Sequence, residues 1–476
     1  MITITDFQRS LPLVIIGITS LLILIVEIIL PKDPNKKGEE IIFNLSLLAL
    51  VAAIMFSFSS LDKNILLYGN FIRITTVTTI LDITILLGVF ITVLSSKNYL
   101  EQEEINYGEY YSLLFLSLFG MQIMIFANDL IMLFVGLELM SVCFYVLAGF
   151  MRKKMDSNES ALKYFLLGAF LTGFLLLGIA FIYGFTGTTN YTVASSLKTG
   201  KETFFLLGLV LVFVTFVFKT GSFPLQMWVP DVYQGAPTIV TGMMSSVGKA
   251  AAFGAMITFF AVYEFKSIPL IVAIIAVLTM MYGNIVALVQ ENIKRLLAYS
   301  SIAHAGYLMI GFITLTTPST QAVLFYLIAY ILMQLGAFII IGIVESKHSE
   351  EKRNTLESFK GLGRQHPWLA SLLTIFLFSL AGIPPFAGFW GKYYIFLSAI
   401  QNNYLWVAIV GILLSLVGVY YYIRIILYMW FYESAEQECV TMKSNYSFVA
   451  AVISTIGLFA FGIYPELIFR IIRTIS

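Results

Sequence analysis

A lysine and a proline lie close together in the stretch Lys219-Thr220-Gly221-Ser222-Phe223-Pro224, which interrupts an apolar segment near the middle of the chain. Lipid offers no hydrogen-bond partners, so a proline break at membrane depth must be buried in protein or face water. A second stretch, Ala381-Gly382-Ile383-Pro384-Pro385-Phe386-Ala387-Gly388, combines small residues with proline in the same way. The two stretches predict a membrane protein with two discontinuous helices.

The composition of the whole chain agrees with a membrane location. Of its 476 residues 59% are hydrophobic and 12% charged, and apolar runs of about 20 residues, the length that spans a bilayer, recur from end to end. The first run, from Leu11, lacks a small-residue cleavage pattern and predicts a retained helix. A net charge of +1 argues against nucleic-acid binding, and two cysteines, Cys143 and Cys439, are too few for a metal cluster or a disulfide framework.

Hydropathy and Gly/Pro punctuation predict an all-α fold of about 14 transmembrane helices. We expect them at 11–30, 41–60, 72–96, 110–127, 129–150, 158–186, 203–233, 237–263, 268–289, 294–316, 319–346, 368–400, 404–431 and 446–472. The breaks fall in the seventh and twelfth helices, and this spacing predicts two inverted five-helix repeats. The single membrane domain would then comprise N-terminal helices (1–109), the first repeat (110–264), the second repeat (268–431) and a C-terminal helix (446–472).

Basic residues indicate the orientation of the chain. When the loops alternate between the two sides, fifteen Lys and Arg residues fall on one face and eight on the other. Cytoplasmic loops carry the excess of positive charge, so both termini are predicted to lie outside the cytoplasm, in a bacterial inner membrane. The other five basic residues lie within helices: Lys163, Lys219, Lys249, Lys392 and Arg424.

Four charges inside predicted helices are the main candidate functional residues: Glu138, Lys219, Lys249 and Lys392. A charge at the bilayer centre costs roughly 2.5–3.5 kcal/mol, so such residues usually mark an ion or proton path. Lysine suits proton handling because burial favours its neutral form and a nearby carboxylate favours its charged form. We expect Glu138 to be the partner of Lys219 and the disturbance of that pair to pass to Lys249 and then Lys392, with His304 as one relay.

These candidates have plainer alternatives. A buried Glu–Lys pair can serve only to fix the register of two helices, and a lone histidine such as His304 is as often a hydrogen-bonded core residue. Lys163 is a secondary relay candidate, but it lies one turn from Glu159 and an i,i+4 surface pair is an equal alternative.

Four further features have a structural interpretation. Asp82 either has a functional role in the third helix or forms a polar contact between helices. Arg424 is expected to snorkel towards the membrane surface. The run Tyr420-Tyr421-Tyr422 and Trp430 are expected to anchor the chain at the interface.

Several motifs resemble the antiporter-like subunits of respiratory complex I, and among them subunit N. They run from Phe218 to Thr238, from Lys294 to Tyr307, from Gly382 to Lys392 and over Gly136-Leu137-Glu138-Leu139-Met140-Ser141. The resemblance covers positions 136–392, while the ends agree only in hydropathy and length. The segment Asp231-Val232-Tyr233-Gln234-Gly235-Ala236-Pro237-Thr238, the length of the chain and the lysine at 392 are most similar to subunit N.

The resemblance implies a proton-translocating membrane-arm subunit of an NADH:quinone oxidoreductase. It implies Glu138 and Lys219 as a coupled pair, Lys249 as the central relay and Lys392 as the terminal protonatable site. NADH, FMN, iron–sulfur clusters and quinone are expected in partner subunits, with no cofactor or metal in this chain. Antiporter-like sister subunits and small membrane subunits are the implied partners.

Three other functions remain open at this point. The chain could belong to a multi-subunit cation/proton antiporter or to the membrane arm of a hydrogenase. It could also be a structural membrane-arm subunit whose buried charges only hold the arm together. Sodium-dependent proton exchange without NADH would favour the antiporter, and loss of assembly in charge-removing variants would favour the structural role.

Overall fold

The N-terminal part contains three long helices and a short hairpin. The computed structural model describes residues 4–29, 37–61, 63–196, 202–263, 269–345, 354–433 and 445–473. The first elements are α1 (Ile4–Arg9), α2 (Leu11–Ile29), α3 (Lys37–Phe58), β1 (Ile65–Leu67), β2 (Ile72–Ile74) and α4 (Thr76–Gln102). The third helix was predicted to start at residue 72 and starts at Thr76, because Ile72–Ile74 pair with β1 and Thr75 caps the helix.

The middle of the chain holds the first break. Its elements are α5 (Gly108–Phe126), α6 (Leu130–Ala148), α7 (Met155–Thr186), α8 (Tyr191–Ser196), α9 (Glu202–Thr220), α10 (Trp228–Gly235), α11 (Thr238–Met243), a π-helical turn (Met244–Gly248) and α12 (Lys249–Val262). The π-helical turn joins α11 to α12 without a loop, so the predicted eighth helix is one span with a wide turn inside it.

The second break lies in the C-terminal half. The elements there are α13 (Pro269–Ala287), α14 (Ile293–Ile310), α15 (Thr317–Glu345), a 3₁₀ turn (Leu356–Phe359), α16 (Leu362–Gln365), α17 (Pro367–Ala381), α18 (Ala387–Gln401), α19 (Leu405–Phe431), α20 (Asn445–Ile463) and α21 (Glu466–Ile472). The predicted last helix is thus divided near Pro465, which precedes α21.

The predicted membrane fold is confirmed. Twelve helices in the described ranges are long and apolar enough to span a bilayer. The other two expected spans are also helical, namely α14, which carries Lys294, Arg295 and His304, and the broken pair α17–α18. The orientation stays a prediction, since many loop residues that it rests on lie outside the described residues: Lys32, Lys36, Lys198, Lys201, Lys266, Lys347, Lys352, Arg353 and Lys443.

The two breaks share one local geometry. Helices α9 and α17 are each followed by a left-handed glycine, Gly221 (φ +71°) and Gly382 (φ +85°). In both, the glycine N–H binds the carbonyl three residues back and the next N–H binds the carbonyl five residues back, which is the Schellman cap. Cis peptide bonds, Phe223–Pro224 and Pro384–Pro385, follow the two caps. The caps agree with repeated halves, although the inverted relation of the repeats remains a prediction.

Helix α15 lies at the centre of the bundle. It is buried along most of its length and packs against α4, α11, α17, α18 and α20. Helices α12 and α14 are also largely buried. Polar side chains on these helices therefore face other helices rather than lipid.

Candidate functional site

Lys219 lies in the last turn of α9, just before the first break. Its ammonium donates to Ser141 Oγ of α6 at 2.7 Å and approaches Tyr145 Oη at 3.5 Å. The rings of Tyr145 and Tyr164 lie 5.7 and 6.0 Å from Nζ, within the range of a cation–π contact. Lys219 is only 5% exposed, so this buried ammonium is surrounded by hydroxyl groups and aromatic rings.

Glu138, the expected partner of Lys219, is half-buried on α6 and bound elsewhere. Its Oε1 accepts a hydrogen bond from Thr172 Oγ1 of α7 at 2.5 Å. Among the described residues no ion pair within 4 Å joins Glu138 to Lys219. Instead, Ser141, about one turn further along α6, accepts a hydrogen bond from the Lys219 ammonium. Its own hydroxyl donates to Leu137 O at 2.5 Å. Glu138 and Lys219 are thus neighbours without the direct contact that we expected.

Lys249 is the first residue of α12, directly after the π-helical turn. Its ammonium donates to Ser301 Oγ at 2.6 Å and to Ser301 O at 2.8 Å, both on α14. Tyr330 Oη of α15 donates to the same Ser301 hydroxyl at 2.9 Å. A Cβ atom on Gly221 would lie 3.6 Å from Lys249 Nζ, so the first helix break passes close to this lysine.

His304 lies on α14 within a group of tyrosines. Its Nδ1 is 2.7 Å from Tyr326 Oη, and its Nε2 is 3.1 Å from Tyr422 Oη. The centre of the Tyr330 ring lies 5.2 Å from that of the imidazole. The proton of a neutral imidazole can sit on either nitrogen, and both phenols can donate or accept. The hydrogen-bonded core histidine is what the structure shows, and the relay role stays a prediction.

Lys392 on α18 contacts the second break. Its ammonium donates to Ala381 O, at the end of α17, at 3.0 Å and to Ser415 Oγ of α19 at 2.9 Å. Nζ also lies 5.1 Å from the centre of the Tyr307 ring. A Cβ atom on Gly382 would lie 3.0 Å from Lys392 Cδ, so the glycine leaves the room that this side chain occupies.

Lys163 belongs to a separate, half-exposed group of ion pairs. Its ammonium contacts Glu159 at 2.7 Å and Asp231 at 2.6 Å, and Asp231 also binds Arg295 at 2.7 Å. The i,i+4 pair with Glu159 is therefore present. Sequence reasoning missed Asp231 and Arg295 as its companions, although both stand within the quoted motifs.

Two of the expected interfacial anchors are wrong. Tyr421 and Tyr422 are each 1% exposed and belong to the polar interior, whereas Tyr420 is 63% exposed. Tyr421 donates to Asn284 Oδ1 at 3.1 Å, and Tyr422 hydrogen-bonds His304. The signal was available, because Gly418, Tyr421, Tyr422 and Ile425 recur at helical spacing on one face of α19.

Arg424 and Asp82 also make defined contacts. Arg424 donates its Nη1 to Leu288 O at 3.2 Å and Gln290 O at 3.3 Å, just beyond the end of α13, and its snorkelling stays a prediction. Asp82 joins three helices, because it accepts from Ser57 Oγ of α3 at 2.6 Å and from Gln122 Nε2 of α5 at 2.8 Å. Asp82 is therefore a buried polar contact between helices.

Comparison with known proteins places the chain in a family. A family described as NADH:quinone oxidoreductase/Mrp antiporter, TM, matches residues 127–418, a range that includes every candidate site residue. The chain is 41% identical to NADH-quinone oxidoreductase subunit N of Trichlorobacter lovleyi, over 97% of this chain and 95% of the relative. Subunit N 1 of Chloroherpeton thalassium is 42% identical, over 97% of each chain. The chain belongs to the NADH-quinone oxidoreductase subunit N family.

Solved structures share the fold of this chain over nearly its whole length. A chain of respiratory complex I from Thermus thermophilus superposes with a TM-score of 0.83 at 31% identity, over 96% of this chain and 98% of that chain. A chain of the Mrp complex from a Dietzia species has a TM-score of 0.83 at 19% identity, over 99% of this chain and 97% of that chain, and this likeness concerns the fold alone. The predicted family and the antiporter-like membrane fold are confirmed.

Proposed function

We propose that this subunit N moves protons across the membrane, coupled to electron transfer in other subunits of an NADH:quinone oxidoreductase. Lys219, Lys249 and Lys392 bind and release the protons. Glu138 biases Lys219, and His304 with its tyrosine partners joins the central lysine to the terminal one. Lys163, in its half-exposed group of ion pairs with Asp231, is a secondary relay.

The main support for the proposal is that three buried lysines have only neutral acceptors among the described residues. Lys219 binds a hydroxyl, Lys249 a hydroxyl and a carbonyl, and Lys392 a carbonyl and a hydroxyl. A lysine that only fixes helix register would be stabilised by a carboxylate, since an unpaired buried charge is costly. No carboxylate of the described residues lies within ion-pair distance of these ammonium groups. Lysines held by neutral partners can exist with or without the proton, as a relay requires.

Polar groups lead from the central lysine towards the terminal one. Gly221, two residues after Lys219, lies beside Lys249, and Ser301 and Tyr330 lead from Lys249 towards His304. Hydroxyl groups both donate and accept hydrogen bonds, so with water between them they can pass a proton onward. The Tyr307 ring contacts both the His304 ring and the Lys392 ammonium. The chain of contacts supports transfer through the middle of the subunit rather than along its surface.

The position of Glu138 suggests where an electrostatic change in a neighbouring subunit first acts on this chain. Glu138 is half-buried, whereas Ser141 and Lys219 behind it are buried. A charge that arrives from a neighbouring subunit can therefore act on Glu138 first. A change at this carboxylate alters the electrostatic potential at Lys219 and so the free energy of its protonation.

The rest of the enzyme would lie in partner subunits. NADH, FMN, iron–sulfur clusters and quinone are assigned there, and antiporter-like sisters and small membrane subunits are the expected neighbours. The exposed apolar face of α7, with Leu162, Phe165, Leu166 and Phe170, suits contact with lipid or with such a sister. The proposed location is a bacterial inner membrane with both termini outside the cytoplasm.

The experiment replaces Lys219 or Lys249 by alanine and measures proton pumping in vesicles together with assembly of the complex. We expect both variants to assemble and to lose most proton translocation. Normal proton-to-electron stoichiometry in both would reject the proposal. Sodium-dependent proton exchange in the absence of NADH would instead indicate an antiporter, and loss of assembly before loss of coupling would indicate a structural subunit.

A further inference from the structure

A basic groove lies beside the β1–β2 hairpin, away from the lysine path. It has a volume of about 520 Å³ and is lined by Lys63 and Arg73, by the first turn of α4 and by the start of α15. Among the described residues that line it there is no Asp or Glu. Neither Lys63 nor Arg73 forms an ion pair with a described residue. The described lining of the groove therefore carries two positive side chains and no carboxylate.

Backbone dipoles add to this charge. Thr75 caps α4 by accepting from Thr78 N, and this leaves the amides of Thr76 and Val77 without a carbonyl inside the helix. A helix N-terminus carries about half a positive charge and favours anions. The 27 residues of α4 make this a full-length helix, and its first turn lines the groove.

One residue that lines the groove has a buried hydroxyl. Tyr191 is 1% exposed, and among the described residues its Oη has no hydrogen-bond partner. A buried phenol normally finds a partner, because an unsatisfied group costs about 1–3 kcal/mol. An anion in the groove would accept a hydrogen bond from this hydroxyl.

An apolar crevice of about 380 Å³ lies beside the groove. Ala261 and Leu315 line both spaces, so the two are neighbours. The crevice is lined mainly by apolar side chains, among them Phe213, Met256, Phe260, Val272 and Phe312. An anion of small size would leave it empty, whereas an acyl chain would fill it.

We infer that the groove and the crevice together bind one anionic phospholipid. The phosphate lies among Lys63, Arg73, the first turn of α4 and the Tyr191 hydroxyl. An acyl chain lies in the crevice between α9, α12 and α13. A bound lipid of this kind would fasten the hairpin to the helices of the pumping core.

The test compares lipid binding by the whole complex, purified through a tag on this chain and placed in phosphatidylcholine nanodiscs. Spin-labelled phosphatidylglycerol or phosphatidylcholine is added, and the immobilised fraction is measured. In the double variant Lys63→Gln, Arg73→Gln we expect about 30-fold weaker binding of the anionic probe, the effect of removing two charges from an anionic lipid contact. The control Arg152→Gln, Lys153→Gln removes two charges from another loop and should bind as the wild type does.

Two further variants separate the contributions. Tyr191→Phe removes only the hydroxyl. It should weaken the binding of the anionic probe a few-fold and leave the unfolding temperature unchanged. Ala261→Phe places a large side chain in the wall that the two spaces share. It should weaken the binding of both probes without a change of charge.

Three results would overturn the inference. If the double variant binds phosphatidylglycerol as tightly as the wild type does, Lys63 and Arg73 have no role in lipid binding. Displacement of the probe by millimolar inorganic phosphate would assign the groove to a free anion. A photo-crosslinker on Lys63→Cys that attaches to a neighbouring subunit instead of lipid would assign it to a protein contact.

Discussion

The ammonium of Lys219 donates a hydrogen bond to the hydroxyl of Ser141 at 2.7 Å, about one helical turn from Glu138. The Ser141 hydroxyl itself donates a hydrogen bond to Leu137 O. Lys219 is thus held close to the carboxylate by a neutral acceptor. Coupling between the two charges acts through space in this arrangement, and the contact that would lock them together is not made.

The charge of Glu138 should matter for pumping and little for assembly. Glu138→Gln keeps an oxygen that can accept from Thr172 Oγ1 and breaks no ion pair between described residues. We expect an assembled complex whose proton translocation is clearly slower, measured in vesicles. Thr172→Val is the matched control, since it removes the hydrogen bond and keeps the charge, and it should pump nearly normally. Equal pumping by Glu138→Gln and the wild type would contradict the role of the charge.

The second break should tolerate no side chain at Gly382. A non-glycine residue at its φ of +85° costs roughly 1–2 kcal/mol, and its Cβ would lie 3.0 Å from Lys392 Cδ. Gly187→Ala has a similar backbone cost at φ +71° with no atom within 4 Å of the added Cβ. We expect both variants to lower the unfolding temperature and only Gly382→Ala to impair pumping as well. Equal pumping in the two would show that Lys392 does not depend on its position at the break.

The hydroxyl of Tyr330 should assist transfer from Lys249. Tyr330→Phe removes the bond to Ser301 and keeps the ring beside His304. The loss of one hydrogen bond costs only about 0.5–1.5 kcal/mol, so the complex should assemble. We expect slower proton translocation at unchanged assembly. Tyr263→Phe is the control, because that buried hydroxyl has no hydrogen-bond partner among the described residues and lies at the opposite end of α12 from Lys249.

Asp82 should contribute to stability rather than to pumping. Asp82→Ala leaves the buried groups of Ser57 and Gln122 without their acceptor, at a cost of about 1–3 kcal/mol for each group. Asp82→Asn retains an acceptor and should be milder. We expect a lower unfolding temperature in the alanine variant and a normal proton-to-electron ratio in both. A reduced ratio in the assembled asparagine variant would place Asp82 on the proton path.

Much of the architecture could be predicted because lipid imposes strong rules on sequence. Apolar length located the helices, and glycine and proline located both breaks, since unpaired backbone groups cannot face lipid. The hairpin at Ile65–Ile74 was missed, because its alternation is short and follows directly into the apolar residues of α4. The π-helical turn before Lys249 has no composition signal of its own.

The contacts of the site were harder to predict than its members. Buried charges stand out in an apolar sequence, so Lys219, Lys249 and Lys392 could be selected. Their acceptors are serine hydroxyls and backbone carbonyls. Serines are common and every residue has a carbonyl, so the sequence does not indicate which of these groups bind the lysines. Only packing shows that Ser141, rather than Glu138, binds Lys219.

The most direct test of proton transfer through the central lysine compares Lys249→Met and Lys249→Arg in the assembled complex. Methionine keeps much of the length without a proton to give, and arginine keeps the positive charge but does not release its proton. The measurement is the ratio of protons translocated to electrons transferred in vesicles energised with NADH. We expect a reduced ratio in both variants. A normal ratio in Lys249→Arg would show that only the charge is needed, and it would contradict proton transfer through Lys249.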